Sequence, residues 1–276
     1  MSRYQLQAQQ RKTYAENGFI HLPGVFTREQ IARFERDVSA AVAVLRGRSG
    51  EKPPNSDSSA YAQAFTQVMN LWRDSEAVRE LVFNRDLARL AAQLMGVSGV
   101  RLYHDQALYK EAHGGYTPWH CDQYYWPLDS DATITAWIPL QDTRVEMGAL
   151  AFSAGSHRLE LGRDLPIGED SEKRIAAELA ARGLPSIEAD FAAGDVSFHA
   201  GWTFHRAGPN ATDFPRRAMT VIYMAEDMRL KAPENANQQA DRKAWCPGIE
   251  VGEVVASELN PVLYRAEAMA LSGSSV

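Results

Sequence analysis

The sequence predicts a mainly β protein with outer helices, an antiparallel barrel or jelly roll preceded by a helical region. Three observations carry this. After Val97 the chain breaks into short segments rich in β-branched and aromatic residues, separated by turn clusters. Before Val97 its apolar residues recur at helical spacing. At 276 residues with 45% hydrophobic and 23% charged composition, it can bury a sizeable core and is neither disordered nor fibrous.

Asn17 and Gly18 stop a first helix. Thr27, with Gln30 three positions on, is a capping-box start for a second helix, whose apolar stripe is Ile31, Phe34, Val38, Val42 and Leu45. Residues 47–59, GRSGEKPPNSDSS, read as a loop, either a connector or a lid over a site. Helical spacing returns with Val78, Leu81 and Val82, then with Leu87, Leu90 and Leu94, and Gly96 ends it. Strands are expected at 100–110, 132–140, 195–200 and 216–224, with one helix interrupting at 171–183. The tail after Met228 reads as irregular. The whole is expected to be one domain over 1–276: mostly helical support at 1–97, a β core at 98–228 and a wrapping segment at 229–276.

A net charge of −6 lacks the positive field that phosphate backbones need, so no nucleic-acid partner is expected. Only two cysteines, Cys121 and Cys246, and a polar start point to a reducing cytoplasm. No apolar run is long enough to span a bilayer, so no membrane partner is expected. Dinucleotide, P-loop, zincin and serine-hydrolase motifs are absent from the sequence.

The informative segment is TPWHCDQYYWP, 117–127. If it is extended, His120 and Asp122 share a face and Cys121 points away. An imidazole beside a carboxylate suits an iron(II) centre that needs one more histidine and keeps open positions. The His-x-Asp spacing is weak evidence alone. A second segment, GDVSFHAGWTFHRAGPNATDFPRRAMTVIY, holds two candidates for the third ligand, His199 and His205. A hairpin through GPNAT would bring the Arg216 strand beside the His205 strand, and a buried guanidinium is a natural clamp for a carboxylate.

These residues resemble the phytanoyl-CoA dioxygenase family of Fe(II)- and 2-oxoglutarate-dependent oxygenases. His120-x-Asp122, His205 and Arg216 in RRAMTVIY carry the resemblance, with YAENGFIHLPGVFTREQI, HDQALYK and GALAFSAGSHR, over about residues 12–225. The resemblance implies a double-stranded β-helix (jelly-roll, cupin-like) core. It implies Fe(II) on His120, Asp122 and His205, with the distal carboxylate of 2-oxoglutarate on Arg216. It further implies O2 as co-substrate, succinate and CO2 as co-products, and hydroxylation as the default outcome. Cyclisation and epimerisation run on the same ligand set, whereas the carboxylate of Asp122 disfavours halogenation. Two departures stand out. Ala207 replaces a hydroxyl residue that many relatives place near the arginine, and Tyr109 stands where several have an Asn near the co-substrate.

Thr135 and Trp137 alternate on one strand and are expected to line the 2-oxoglutarate pocket together with Tyr109. Trp126, Tyr124 and Arg206 are candidate substrate contacts. His21, His104, His113 and His157 read as structural or solvent-exposed. The expected substrate is a small metabolite or a biosynthetic intermediate with an aromatic or polycyclic body. A cupin-like metal enzyme without 2-oxoglutarate, and a non-catalytic jelly-roll module, are the competing readings.

Overall fold

The computed structural model describes residues 4–48 and 65–267. Two antiparallel sheets face each other as a jelly roll, with the N-terminal helices packed on the outside of the larger one and a later helix against the smaller. In chain order the elements are α1 (Ala8–Asn17), β1 (Phe19–Leu22), α2 (Arg28–Arg48), β2 (Phe65–Met69), α3 (Glu76–Val82), α4 (Arg85–Met95), β3 (Gly99–Lys110), β4 (Thr117–His120), β5 (Thr133–Pro139), β6 (Leu150–Ser153), α5 (Glu169–Ala181), β7 (Ser186–Glu188), β8 (Val196–Ala200), β9 (His205–Ala207), β10 (Arg216–Ala225), α6 (Ala236–Trp245) and β11 (Val262–Arg265). The larger sheet runs β1-β8-β5-β10-β3-β11, with β2 also paired to β3; the smaller runs β4-β9-β6-β7.

The helix starts and stops follow local chemistry. Thr27 and Gln30 cap α2 reciprocally: Thr27 Oγ1 accepts the Gln30 N–H at 3.2 Å, and Gln30 Oε1 accepts the Thr27 N–H at 2.9 Å. Asn84 caps α4, which ends on Gly96 in the left-handed region. Gly18 closes α1 at φ +79°, where a Cβ would also lie 2.4 Å from the His157 ring. A side chain is excluded there on both counts.

Strand alternation separates two environments. Ala107 and Tyr109 of β3, Ile134, Ala136 and Ile138 of β5, and Met219, Val221 and Tyr223 of β10 pack against α2 and α4 through Ile31, Phe34, Val38, Leu87 and Leu90. Their neighbours in sequence, including Gln106, Leu108, Thr135, Trp137, Thr220 and Ile222, face a cavity of about 560 Å³ between the sheets.

Four expectations need correction. The segment read as helical also contributes β1, which pairs with β8, and β2, which pairs with β3; both are too short to show a period. The tail after Met228 forms α6 and β11 rather than irregular wrapping. No hairpin joins β9 to β10. β9 pairs with β4 and β6 in the smaller sheet, whereas β10 pairs with β3 and β5 in the larger one. The His205 and Arg216 strands therefore belong to different sheets. Of the loop expected at 47–59, residues 47–48 complete α2 and 49–59 lie outside the described residues, as does its reading as a lid.

Asp105 sits on the helical side of β3, fully buried. Its Oδ1 accepts the Leu71 N–H at 3.1 Å, while Oδ2 has no partner among the described residues. Burial pushes its carboxyl up to about 8. The folded chain then holds a proton that the unfolded chain releases near pH 4, so this group withdraws stability as pH rises from about 4 to about 8. Asp105→Asn keeps the acceptor and removes the titration. The variant's Tm is expected to fall less than the parent's between pH 6 and pH 9, measured by thermal unfolding across that range.

Candidate metal and co-substrate site

His120 ends β4, His205 begins β9, and the two are directly paired in register. Asp122 opens a short 3-10 turn, Asp122–Tyr125, immediately after the extended Cys121. Trp119 and Cys121 pack outward with Tyr124 against Ile175 and Leu179 of α5, which turns His120 and Asp122 inward. Extended geometry at 119–121 thus delivers the shared face that the sequence predicts.

The ligand atoms of His120, Asp122 and His205 all lie within 4.8 Å of one another. His120 Nε2 is 3.8 Å and His205 Nε2 is 3.6 Å from Asp122 Oδ1. The other ring nitrogens are occupied: His120 Nδ1 is 2.8 Å from the Pro118 carbonyl, and His205 Nδ1 is 3.0 Å from that of Thr203. A carbonyl only accepts, so each Nδ1 carries the proton and each Nε2 turns its lone pair to the common centre. Burial lowers His120 to about 3 and His205 to about 4, which keeps both neutral. Burial alone would raise the Asp122 carboxyl, but His205, His199 and His120 outweigh it and hold the group well below the usual carboxylate range. Two neutral imidazoles and one carboxylate are the donor set that iron(II) takes with positions left open.

His199 does not join the ligand cluster. Its Nε2 lies 3.2 Å from Asp122 Oδ2, and Thr135 Oγ1 donates to the same oxygen at 3.0 Å. Oδ2 is thereby held from the larger sheet, leaving Oδ1 toward the two histidines. Thr135 consequently supports the carboxylate of Asp122, a role alternation alone could not reveal. Losing an outer-shell partner of this kind typically costs 10–100-fold in metal affinity. Thr135→Val is expected to weaken iron(II) binding by about tenfold, measured by anaerobic calorimetry.

Arg216 begins β10, buried, with its guanidinium 5.7 Å from the Trp137 ring centroid. One terminal nitrogen donates to the Leu108 carbonyl at 3.1 Å; among the described residues Nε has no partner and no carboxylate pairs with the guanidinium. A buried cation without an anion is costly, and an anionic ligand would offset that cost.

Three expected contacts lie elsewhere. Tyr109 faces the helices, its hydroxyl 2.9 Å from Ser39 Oγ, and Leu108 takes the cavity position beside it. Tyr124 packs toward α5, and Tyr125 and Trp126 line the cavity. Arg206 pairs with Glu172 at 2.7 Å across to α5, outside the cavity. By contrast, His104, expected to be structural or exposed, is buried in the cavity wall. Asp241 and Asn237 of α6, which no sequence motif marks, line it too. Cys121 and Cys246 are free and buried. No helix among the described residues is long and apolar enough to cross a membrane.

Known proteins place this geometry. The family model for phytanoyl-CoA dioxygenase matches residues 14–218. The chain is 24% identical over 228 residues to a probable alpha-ketoglutarate-dependent hypophosphite dioxygenase of Stutzerimonas stutzeri, covering 80% of this chain and 79% of that protein. Among solved structures it resembles the non-heme alpha-ketoglutarate-dependent carbocyclase SnoK from nogalamycin biosynthesis (TM-score 0.76, 27% identity, 93% of this chain and 96% of that one). It also resembles the epimerase SnoN in complex with Fe3+, alpha-ketoglutarate and nogalamycin RO (TM-score 0.76, 24% identity, 93% and 98%). With the family matched over most of its length, the chain belongs to the phytanoyl-CoA dioxygenase family and is an Fe(II)/2-oxoglutarate-dependent oxygenase.

Proposed function

We propose that His120, Asp122 and His205 hold the iron(II), that Arg216 takes the distal carboxylate of 2-oxoglutarate, and that the enzyme oxidises a small ring-bearing metabolite or natural-product intermediate. One observation carries the reading: a neutral His, an ionised Asp and a second neutral His converge on one point of a cavity that also contains a buried guanidinium with no anion among the described residues. Bound iron(II) supplies dioxygen activation coupled to decarboxylation of 2-oxoglutarate. The chain supplies the rest. His120 and His205 present fixed lone pairs. Thr135 and His199 orient Asp122. Arg216 and Trp137 form a cation and an aromatic wall for the co-substrate. Leu108, Leu150 and Ile222 limit water in the cavity.

Hydroxylation, cyclisation and epimerisation are all compatible with this wall. The carbocyclase named above, from nogalamycin biosynthesis, and the epimerase, solved with nogalamycin RO bound, share the fold. A cavity of about 560 Å³ lined by Trp126 and Tyr125 suits a rigid ring body. The test is anaerobic addition of Fe(II) and 2-oxoglutarate to the metal-free protein. A visible metal-to-ligand charge-transfer band is expected. Iron binding without that band would mean that the co-substrate is wrong.

A further inference from the structure

Strand β3 changes face once. Along β10 the register runs regularly from Arg216 opposite Lys110 to Ile222 opposite His104, then shifts so that Tyr223 stands opposite Leu102. Tyr103 is the extra residue of a β-bulge, a device common beside active sites because it re-aims a side chain. Leu102, Ala107 and Tyr109 pack on the helical layer, while Tyr103 and His104 both project toward the other side. The bulge sends the Tyr103 hydroxyl to Asp241 on α6, donating to Oδ2 at 2.5 Å; Trp245 Nε1 donates to Oδ1 at 3.1 Å.

Asp241 is therefore held from two sides, and each oxygen keeps a free acceptor position. It lines the cavity and is buried, and no Lys or Arg among the described residues pairs with it. Its neighbours complete a recognition set. His104 is buried in the same wall, its Nδ1 without a partner among the described residues. Trp126, which packs edge-on to Tyr103 with ring centroids 5.6 Å apart, offers an aromatic surface. Glu169, exposed and 3.7 Å from Lys173, is the third acidic residue of the lining after Asp122 and Asp241, and Arg216 is the only Lys or Arg among the described lining residues.

The charges are ordered along the strands. Arg216 lies at one end of the β3–β10 pair. Thr135, which holds Asp122, is opposite Ile222, six residues further along. Tyr103 and His104 lie at that far end and bring in Asp241. The logic that assigns an anion to Arg216 assigns a cation to Asp241, because a buried carboxylate without a counter-charge is costly until a ligand supplies one. Resting on the oxygenase reading above, we infer that Asp241, held by Tyr103 and Trp245 beside Trp126 and His104, is the recognition point for a protonated amine, so that the substrate class is a cyclic or polycyclic amine. Burial raises the free carboxyl to about 7, so near neutral pH it is shared between protonated and ionised forms, and an ammonium beside it would draw it to the ionised form. An ammonium there would be held by Asp241 from one side and by the Trp126 ring from another, the usual pairing for buried organic cations.

Three probes sharing one rigid body test this: adamantylamine, adamantanol and adamantanecarboxylate. Each is titrated calorimetrically into protein loaded anaerobically with Fe(II) and 2-oxoglutarate. The amine is expected to bind at least about tenfold more tightly than the alcohol, the carboxylate most weakly, since hydrogen bonds to charged groups exceed neutral ones by about this margin. Asp241→Asn is expected to bring the amine down to the alcohol's affinity while the charge-transfer band keeps its position and intensity. Equal affinity for amine and alcohol, no binding by any of the three, tightest binding by the carboxylate, or an amine preference that survives Asp241→Asn would each overturn the inference. The comparison of probes on the parent protein does not depend on the variant folding. Loss of the band in the parent protein would instead strike the oxygenase reading, and the amine titration on that same sample still decides the role of Asp241.

Discussion

Asp122→Ala is expected to abolish catalytic turnover and to weaken iron(II) binding by more than about 100-fold, beyond the 10–100-fold typical for loss of an outer partner. The reason lies in how the two oxygens are divided. Oδ1 stands 3.6–3.8 Å from the two Nε2 atoms, and Oδ2 is held by Thr135 and His199. Alanine removes the only anion of the ligand cluster. It also leaves the Thr135 hydroxyl and His199 without their shared acceptor, in a wall where burial makes an unmet polar group expensive. Anaerobic calorimetry with Fe(II) reads the loss directly. Iron affinity within threefold of the parent protein would show that the metal lies elsewhere.

The second large effect is at the co-substrate. Arg216→Ala is expected to raise the Kd for 2-oxoglutarate by about 30-fold to several thousand-fold, the equivalent of the 2–5 kcal/mol that truncating one member of a buried, hydrogen-bonded charge pair typically costs. Iron affinity in the absence of 2-oxoglutarate should be unchanged, because Arg216 belongs to the larger sheet and the ligand histidines to the smaller. Titrating 2-oxoglutarate against the charge-transfer band measures it. An unchanged midpoint would mean that the guanidinium serves the strand, through its bond to the Leu108 carbonyl, and not the ligand. Lys110 does not substitute. It is opposite Arg216 in register, but its Nζ donates to the Gly208 carbonyl at 2.5 Å, and burial lowers it to about 7.

The sequence carried the pairing of His120 with Asp122 and the jelly-roll class because both are local, while the distant His205 came from the family resemblance. His-x-Asp on an extended segment determines its own face, and β-branched runs between turns announce strands. It could not carry what depends on long-range pairing. Nothing around GPNAT distinguishes a hairpin from a crossing between sheets, because a connection of this length serves either. Tyr109 was expected in the pocket, but its side-chain direction depends on the register of β3. An uncounted bulge reverses every face expected on one side of it, and Tyr103 shows no residue-type signal for one. Arg206 satisfies Glu172 rather than a ligand, and that partner lies on α5, 34 positions away. Asp241 sits in a polar stretch, NQQADRK, that reads as solvated surface until α6 folds it against Tyr103.

The bulge at Tyr103 has a consequence for how such an enzyme diversifies. Residues 104–110 keep one phase with β10 and carry the wall shared with Arg216; residues 99–102 keep the opposite phase and bind β11 and the C-terminal segment. A single irregularity thus uncouples two stretches of one strand. Replacements at Tyr103 or in α6 can remodel the chemistry presented to a guest molecule without shifting the phase of the strand that supports the oxidative machinery. On the inference above, selectivity rests on a separable group of residues, and a graft that transfers it carries Tyr103, His104 and Trp126 together with α6.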